Sequence, residues 1–134
     1  MGGSLVWSAA LALVGTRFRF HGHDRATGLD CVGLVAAAYR AAGHSVPALP
    51  TYRTRDMDGD AVARLLSGMG LERAANMATG DVLLCMMAAQ QPHLMIVGPD
   101  GCIHAHAGLR RVVMVPGDCP DGERWRPTSW EGFD

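Results

Sequence analysis

The stretch from Gly28 to Val35, which reads Gly-Leu-Asp-Cys-Val-Gly-Leu-Val, constrains the fold most, because a polar loop there becomes an apolar helix. The run from Val32 to Tyr39 is apolar on nearly every side, which predicts a buried helix rather than a surface one. Gly43 is a candidate C-terminal cap. Asp30 is a suitable N-cap, which places Cys31 in the first turn.

Cys31 has two interpretations at this position. Free backbone N–H groups and the positive end of the helix dipole favour a thiolate, and they lower the pKa of the thiol from its usual value of about 8.5. An unpaired cysteine is also commonly a small buried hydrophobe. Position alone does not decide between a nucleophile and a core residue, so a histidine elsewhere in the chain has to be found first.

The amino-acid composition excludes several other kinds of active site. All 12 basic residues are arginines, so the chain has no lysine for a Schiff base, a Walker-type phosphate site or a Ser-Lys dyad. No serine lies in a Gly-x-Ser-x-Gly motif. A net charge of -1 gives no electrostatic surface for nucleic acid. Cysteine is therefore the strongest nucleophile available.

The length predicts a single domain, residues 1–134, with a core over about residues 4–115 and a C-terminal extension over 116–134. The apolar segment from Leu5 to Val14 is interpreted as a first helix and not as a signal peptide, because the first basic residue is Arg17 and no cleavage site follows. No run approaches the roughly 18 apolar residues of a membrane span. We therefore expect synthesis in the cytoplasm without a signal peptide, and four reduced thiols.

The pattern changes from helical to extended at Leu71. Helices are predicted at 5–14, from 31 onward and at 60–67, and strands at 82–87, 93–97, 102–106 and 111–115. The sequence Gly98-Pro-Asp-Gly101 is a strong hairpin signal. Helices followed by an antiparallel meander indicate an α+β fold. The last residues, from Pro116 to Asp134, are expected to form an extended tail held on the body by burial of Trp125 and Trp130.

Three histidines share one face of the predicted hairpin. With a two-residue turn between the strands, His93 lies opposite His106. His104 then lies one diagonal away on the same face, because side chains alternate along a strand. A single histidine there would more often be structural, but three together are an unusual set for a core, since histidine is seldom a first choice for burial.

Such a face suits either of two chemistries. Imidazole and thiolate are zinc ligands, so the histidines could bind a metal together with Cys102 or Cys31, and the His104-x-His106 spacing suits a pair of ligands on one strand. No Cys-x-x-Cys or His-Glu-x-x-His motif accompanies them, and no metal or cofactor is predicted. Alternatively, the histidine face packs beneath the helix that carries Cys31. One histidine is then the base for the thiol, and a second polar group orients it.

Three motifs together resemble the NlpC family of papain-like cell-wall cysteine peptidases, and they occur in the family's order. They are Gly28-Leu-Asp-Cys-Val-Gly-Leu-Val35, His93-Leu-Met-Ile-Val-Gly98 and Ile103-His-Ala105. The resemblance, from about Gly15 to Val115, implies a papain-like α+β domain with the nucleophile at a helix N-terminus and the N-terminal helices packed on an antiparallel β-meander. It also implies hydrolysis of an amide bond in peptidoglycan stem peptides, of the γ-D-glutamyl-diaminopimelate type.

The family pattern implies that Cys31 is the nucleophile, His93 the base and His104 the residue that orients the base, although His106 competes for that last role. Many members carry a Gly-Thr-Pro-Tyr stretch where this chain reads Gly15-Thr-Arg-Phe18, so a hydroxyl for the oxyanion is missing. Losing one such donor can cost on the order of 10²–10³ in rate. His21 and His23 of the same loop are the candidate replacements.

Five residues are assigned to substrate binding: Phe18, His21, Arg25, Asp30 and His106. One arginine of the loop, Arg17, Arg19 or Arg25, could bind a diaminopimelate carboxylate. A solvated loop is the simpler interpretation of these arginines, because bidentate geometry cannot be derived from sequence.

The short form of the motifs, with Val32 where many members have serine and a His-Ala-His end to the third motif, is most similar to peptidases of prophages and gene transfer agents. That resemblance implies tail or hub proteins as partners and incorporation in a phage-like particle. The alternatives are a weakly active or inactive structural or adaptor component of a tail, an amidase or acyltransferase on the same scaffold, and a zinc protein. No nucleic acid or membrane span is expected.

Overall fold

The computed structural model describes residues 2–52, 57–87 and 91–129. Over these ranges, the helices are α1 Gly2–Leu13, α2 Cys31–Ala41 and α3 Gly59–Gly68. A small sheet pairs β1 His23–Asp24 with β2 Gly28–Leu29. The large sheet contains β3 Leu71–Ala74, β4 Val82–Met86, β5 Pro92–Val97, β6 Gly101–His106, β7 Arg111–Pro116 and β8 Glu123–Pro127. Helices packed on an antiparallel sheet confirm the predicted α+β class. None of the described helices is long and apolar enough to cross a membrane.

The helices pack on one face of the large sheet. The side chains of the sheet therefore form two sets, one facing the helices and one on the outer face. Leu94 and Ile96 of β5 belong to the main core together with Leu34 of α2 and Leu66 of α3. The alternate residues of the same strands point the other way. They form a smaller outer cluster of Leu83, Cys85, Met95, Val97 and Cys102.

The start of α2 has the predicted cap. Asp30 has an extended backbone, and its Oδ1 accepts the Gly33 N–H at 2.7 Å, so Cys31 is the first helical residue. Gly33 also allows the preceding loop to lie directly against the helix, because a Cβ there would lie 2.0 Å from the carbonyl oxygen of Gly22. The sequence at this point therefore fixes both the cap and the close approach of the loop.

The loop before α2 is held by the edge of the large sheet. Backbone hydrogen bonds join Gly15 and Phe18 to residues 112 and 110 at β7, and Leu29 of β2 to Arg17. The segment of residues 15–19 therefore lies between β7 and β2. This pairing places Phe18 next to the start of α2.

The β5–β6 hairpin has the predicted register near its turn. Ile96 pairs with Ile103 and Val97 with Cys102, and the Gly98 N–H closes the turn on the Gly101 carbonyl at 2.9 Å. Four of the described strands were not predicted: β1 and β2 of the small sheet, and β3 and β8 of the large sheet. All four are short, and neither β3 nor β8 has a strict alternation of apolar and polar residues.

The expected burial of Trp125 is confirmed, but residues 123–127 are not a tail laid over the body. These residues form β8, which lies inside the sheet between β3 and β4. Trp125 is buried in the main core, and Arg126 makes a salt bridge to the fully buried Asp81 at 2.8 Å. Hydrogen bonding on both sides of β8 and a paired charge fix this segment, and none of these contacts is local in sequence. Trp130 lies outside the described residues.

The expectation of four reduced thiols is also wrong. A disulfide joins Cys102 of β6 to Cys119 in the segment before β8, with Cα atoms 6.0 Å apart. The return of the chain over the outer face brings these residues together, and local patterns do not reveal such a return. Cys31 and Cys85 are free.

Candidate active site

Cys31 and His93 line the same cavity, which has a volume of about 160 Å³. Cys31 opens α2, and His93 is the second residue of β5. Six residues with largely apolar contact surfaces complete most of the wall: Phe18, Phe20, Met87, Pro92, Ala105 and Ala107. The cavity therefore combines a thiol and an imidazole in an otherwise mainly apolar surround.

The histidines lie on the opposite face of the sheet from the one predicted. His93 alternates with Leu94, which faces the helices, and it therefore belongs to the outer side together with Met95. The interpretation that the histidine face packs beneath α2 is wrong. His93 reaches the cavity of Cys31 because it lies at the end of its strand, where the sheet meets the first turn of α2.

Burial raises the pKa of the Cys31 thiol to about 12, and the negative charge of Asp30 raises it as well. Hydrogen bonds with the backbone of Leu94, Val32 and Cys31 itself act in the opposite direction but do not compensate. A thiolate with a lowered pKa was one of the two interpretations of Cys31 at this helix N-terminus, and the raised pKa disfavours it for the resting protein. Desolvation and the adjacent carboxylate outweigh these backbone hydrogen bonds, so the thiol is favoured at rest and its deprotonation needs a base.

His93 is suited to act as that base because it is neutral near pH 7. The pKa of its imidazole is lowered from 6.5 to about 4. Burial is the main cause, and the charges of His104 and His106 contribute as well. His93 Nε2 lies 2.9 Å from His104 Nδ1. One of these two nitrogens carries the shared proton. If Nδ1 of His93 accepts the thiol proton, Nε2 donates and His104 accepts.

His104 is itself 7% exposed, and burial followed by the charge of His106 lowers the pKa of its imidazole. The His106 ring lies 5.5 Å from the His104 ring, and its Nδ1 accepts the Leu109 N–H at 3.0 Å. His106 lines a neighbouring cavity with His93 and His104 but is not among the residues around Cys31. The residue that hydrogen-bonds His93 is therefore His104.

A second polar network lies on the other side of Cys31. Tyr52 donates its hydroxyl to Asp30 Oδ2 at 2.5 Å, and His23 Nε2 lies 2.7 Å from the same hydroxyl. Burial and the hydrogen bond to Asp30 raise the pKa of Tyr52, so it stays a phenol. Because the phenol donates to Asp30, it accepts from His23. Tyr52 and Asp30 also line a small cavity beside Cys31.

Sequence reasoning missed Tyr52, which lies in a stretch between Pro50 and the start of α3 that has no periodicity. His21 and His23 pack their rings on Tyr52, with centroids 5.5 Å away in each case, and neither lines the cavity that Cys31 shares with His93. The proposed replacement of the missing tyrosine hydroxyl by His21 or His23 is therefore not supported by their positions.

The remaining residues predicted to bind substrate divide into two groups. Phe18 and Asp30 line the cavity, and the Phe18 ring meets the Phe20 ring edge to face at 5.0 Å. Arg25 donates to the carbonyl of Ala12 at 3.2 Å, away from the cavity. Within the described ranges, no group of three or more His, Cys, Asp or Glu side chains is arranged to hold a metal ion.

The chain is similar to known proteins in sequence and in fold. The NlpC/P60 family model matches residues 15–121. No curated protein sequence matches the chain. The NlpC/P60 domain of the peptidoglycan hydrolase SagA superposes with a TM-score of 0.60 at 19% identity, covering 85% of this chain and 88% of that one.

Two mycobacterial structures are similar over a larger share. The P60 domain of an M. avium subspecies paratuberculosis antigen gives a TM-score of 0.63 at 17% identity, over 93% of each chain. RipD of Mycobacterium tuberculosis, described as a non-catalytic NlpC/P60 protein adapted to peptidoglycan binding, gives 0.62 at 17% identity, over 94% of this chain and 97% of its own. The family match and the shared papain-like fold show that the chain belongs to the NlpC/P60 family.

Proposed function

We propose that the protein is a cysteine peptidase that hydrolyses an amide bond in peptidoglycan stem peptides, of the γ-D-glutamyl-diaminopimelate type. The observation that carries the proposal is the placement of Cys31 and His93 in one cavity, with His104 hydrogen-bonded to His93. The match to the NlpC/P60 family and the likeness to the SagA domain, a peptidoglycan hydrolase, support this substrate class.

The reaction begins with transfer of the thiol proton from Cys31 to His93. The resulting thiolate attacks the carbonyl carbon of the scissile amide, and the backbone N–H of Cys31 stabilises the oxyanion. His93 then gives its proton to the leaving amine, and the acyl group remains on sulfur as a thioester. A water molecule that loses its proton to His93 hydrolyses the thioester and releases the acid. His104 accepts from Nε2 of His93 throughout and keeps the ring oriented.

The pKa values indicate the protonation states of Cys31 and His93 before the reaction. With a thiol pKa near 12 and an imidazole pKa near 4, the neutral pair dominates at rest. The ion pair therefore forms only in the first step of the reaction, when the proton moves from Cys31 to His93, and the thiolate then attacks the carbonyl. This is general-base behaviour, in contrast to the preformed ion pair that a low thiol pKa would give.

Purified protein incubated with muropeptide stems tests the proposal by mass spectrometry of the products. We expect cleavage that Cys31→Ala and iodoacetamide abolish and that a chelator leaves unchanged. Cys85→Ala is the matched control, since Cys85 is the other free cysteine and lies in the outer cluster. Cleavage that persists in Cys31→Ala, or that requires a metal, would refute a thiol mechanism.

Peptidoglycan binding without catalysis is the second candidate. The likeness to RipD, a non-catalytic member, favours it, as does Phe18, which provides no hydroxyl where it lines the cavity. Co-sedimentation with purified cell-wall sacculi separates the two functions. Binding by the wild-type protein with no product from any stem would establish this candidate over the peptidase.

A location in the tail of a phage-like particle is a separate proposal, which rests on the resemblance of Val32 and the His104-Ala-His106 sequence to prophage and gene-transfer-agent peptidases. Tail or hub proteins are its proposed partners. Immunoblots of purified particles beside whole-cell extract test it. Enrichment in the particles is expected, and detection in the extract alone would refute it.

A further inference from the structure

The cavity beside Cys31 presents uncovered apolar surface at its mouth. Phe20 is 66% exposed and Met87 is 44% exposed, although both line this cavity. Phe18 holds Phe20 in edge contact, so the aromatic wall continues toward the nucleophile. A substrate group that enters here removes this surface from water, which favours an apolar or neutral group.

The charges around the same cavity are of one sign. Among the described residues that line it, Asp30 is the one with a carboxylate, none is an arginine, and Asp30 is 3% exposed. Its charge is felt at the sulfur, where it raises the pKa of Cys31. Arg25 is directed to the Ala12 carbonyl, and no described arginine lines the cavity. An anionic group would therefore lose hydration next to this carboxylate, and none of the described residues that line the cavity is an arginine that could compensate.

Gln91 supplies the remaining polarity. It lines the cavity, is exposed and carries an amide that can both donate and accept a hydrogen bond. A substrate carboxamide can pair with this amide in both directions. A carboxylate can only accept from it, so it makes one kind of hydrogen bond to this amide where a carboxamide makes two.

From these three observations we infer that the cavity selects a neutral group beside the scissile bond and discriminates against a free carboxylate. This inference rests on the proposed function. In stem peptides, it selects forms whose carboxylate at this position is amidated. It also disfavours the alternative in which Arg17, Arg19 or Arg25 binds a diaminopimelate carboxylate, because none of these three arginines lines the cavity.

Two peptidyl chloromethyl ketones that differ only in a carboxylate or a carboxamide beside the reactive ketone test the inference. Alkylation of Cys31 is followed by intact-protein mass spectrometry, which needs no turnover. We expect the carboxamide probe to react about 10–100 times faster than the carboxylate probe. Equal rates, or faster reaction of the carboxylate probe, would overturn the inference.

A charge placed in the wall sharpens the test. Met87→Arg should reduce or reverse the preference, because the new guanidinium can pair with the carboxylate. Met77→Arg is the matched control, since Met77 is 56% exposed and does not line the cavity. A preference that changes equally in both variants would show an effect of net charge and not of the cavity.

The selectivity of the cavity and the peptidase activity can fail independently of each other. Selective alkylation by the carboxamide probe with no cleavage of any muropeptide would refute the peptidase and leave the cavity's selectivity established. Cleavage of stems with free carboxylates in preference to amidated stems would refute the selectivity and leave the peptidase established.

Discussion

Two polar networks meet at Cys31, and they differ in charge and in how they could be recognised. On one side, His93 and His104 form a pair of neutral imidazoles whose pKa values burial lowers. On the other, Tyr52 joins His23 to the carboxylate of Asp30. The first network can take up a proton, whereas the second fixes the cap of α2 and places a negative charge beside the sulfur. The difference indicates that proton transfer and positioning of the nucleophile are separated on the two sides.

Loss of the base should have the largest effect on activity. His93→Ala should reduce kcat/KM by about 10³–10⁴-fold, because it removes the one imidazole among the described residues that line the cavity with Cys31. Stopped-time cleavage assays on muropeptides measure it, with circular dichroism to verify the fold. A loss smaller than tenfold would show that the base is elsewhere.

His104→Ala should have the next largest effect, a loss of about 10–100-fold in kcat, because His93 then lacks the acceptor that orients it. His104→Asn offers a side-chain oxygen and should recover part of the loss. Rescue by asparagine distinguishes orientation from packing. If both variants retain wild-type kcat, the hydrogen bond between the two histidines has no catalytic role.

Tyr52→Phe tests the second network and should act mainly on stability. It leaves Asp30 Oδ2 without the hydroxyl donor, at a cost of about 1–3 kcal/mol in the free energy of unfolding. Urea denaturation measures this change. Activity should fall less than in His104→Ala, and a larger fall would mean that the phenol takes part in the reaction.

The smallest expected effect concerns pH. His93 must be neutral to accept the thiol proton, so kcat/KM should fall only as pH falls through about 4, where its imidazole becomes charged. His106→Ala removes a charge that lowers the pKa of His93, so it should move this fall slightly upward in pH. An acidic limb near 6.5 in the wild-type profile would contradict the burial of the base.

The same shift has a consequence for folding. The unfolded chain binds a proton at His93 near its ordinary pKa of 6.5, whereas the folded protein binds it near 4. Above pH 6.5 the imidazole is neutral in both the folded and the unfolded protein, so this group costs no stability. As pH decreases from 6.5 toward 4, the unfolded chain binds the proton more readily, and the free energy of unfolding falls. Denaturant midpoints across this range should decrease more steeply in wild type than in His93→Ala.

The sequence predicted the elements that depend on local pattern. The cap at Asp30, the turn at 98–101 and the register of the β5–β6 hairpin all follow from residues close in the chain. The predicted hairpin register places His93 opposite His106. In the structure, however, His93 forms its hydrogen bond with His104. The described ladder pairs stop at Ile96 and Ile103, so the hairpin register does not determine the contact at the far ends.

The features that the sequence did not reveal depend on distant segments. Tyr52 reaches Asp30 across 22 residues, and Cys119 reaches Cys102 across 17. The raised pKa of Cys31 was also missed, because the depth of burial and the charge beside it are tertiary properties. A helix N-terminus alone therefore does not establish that a cysteine is a thiolate.

The position of β8 has a consequence for synthesis on the ribosome. β3 and β4 are neighbours along the chain, but each pairs with β8 and neither with the other. A nascent chain that has produced everything through β7 still has unpaired edges on both strands, where wrong pairing or aggregation can begin. Completion of the large sheet therefore waits until β8 has emerged and entered the gap between β3 and β4.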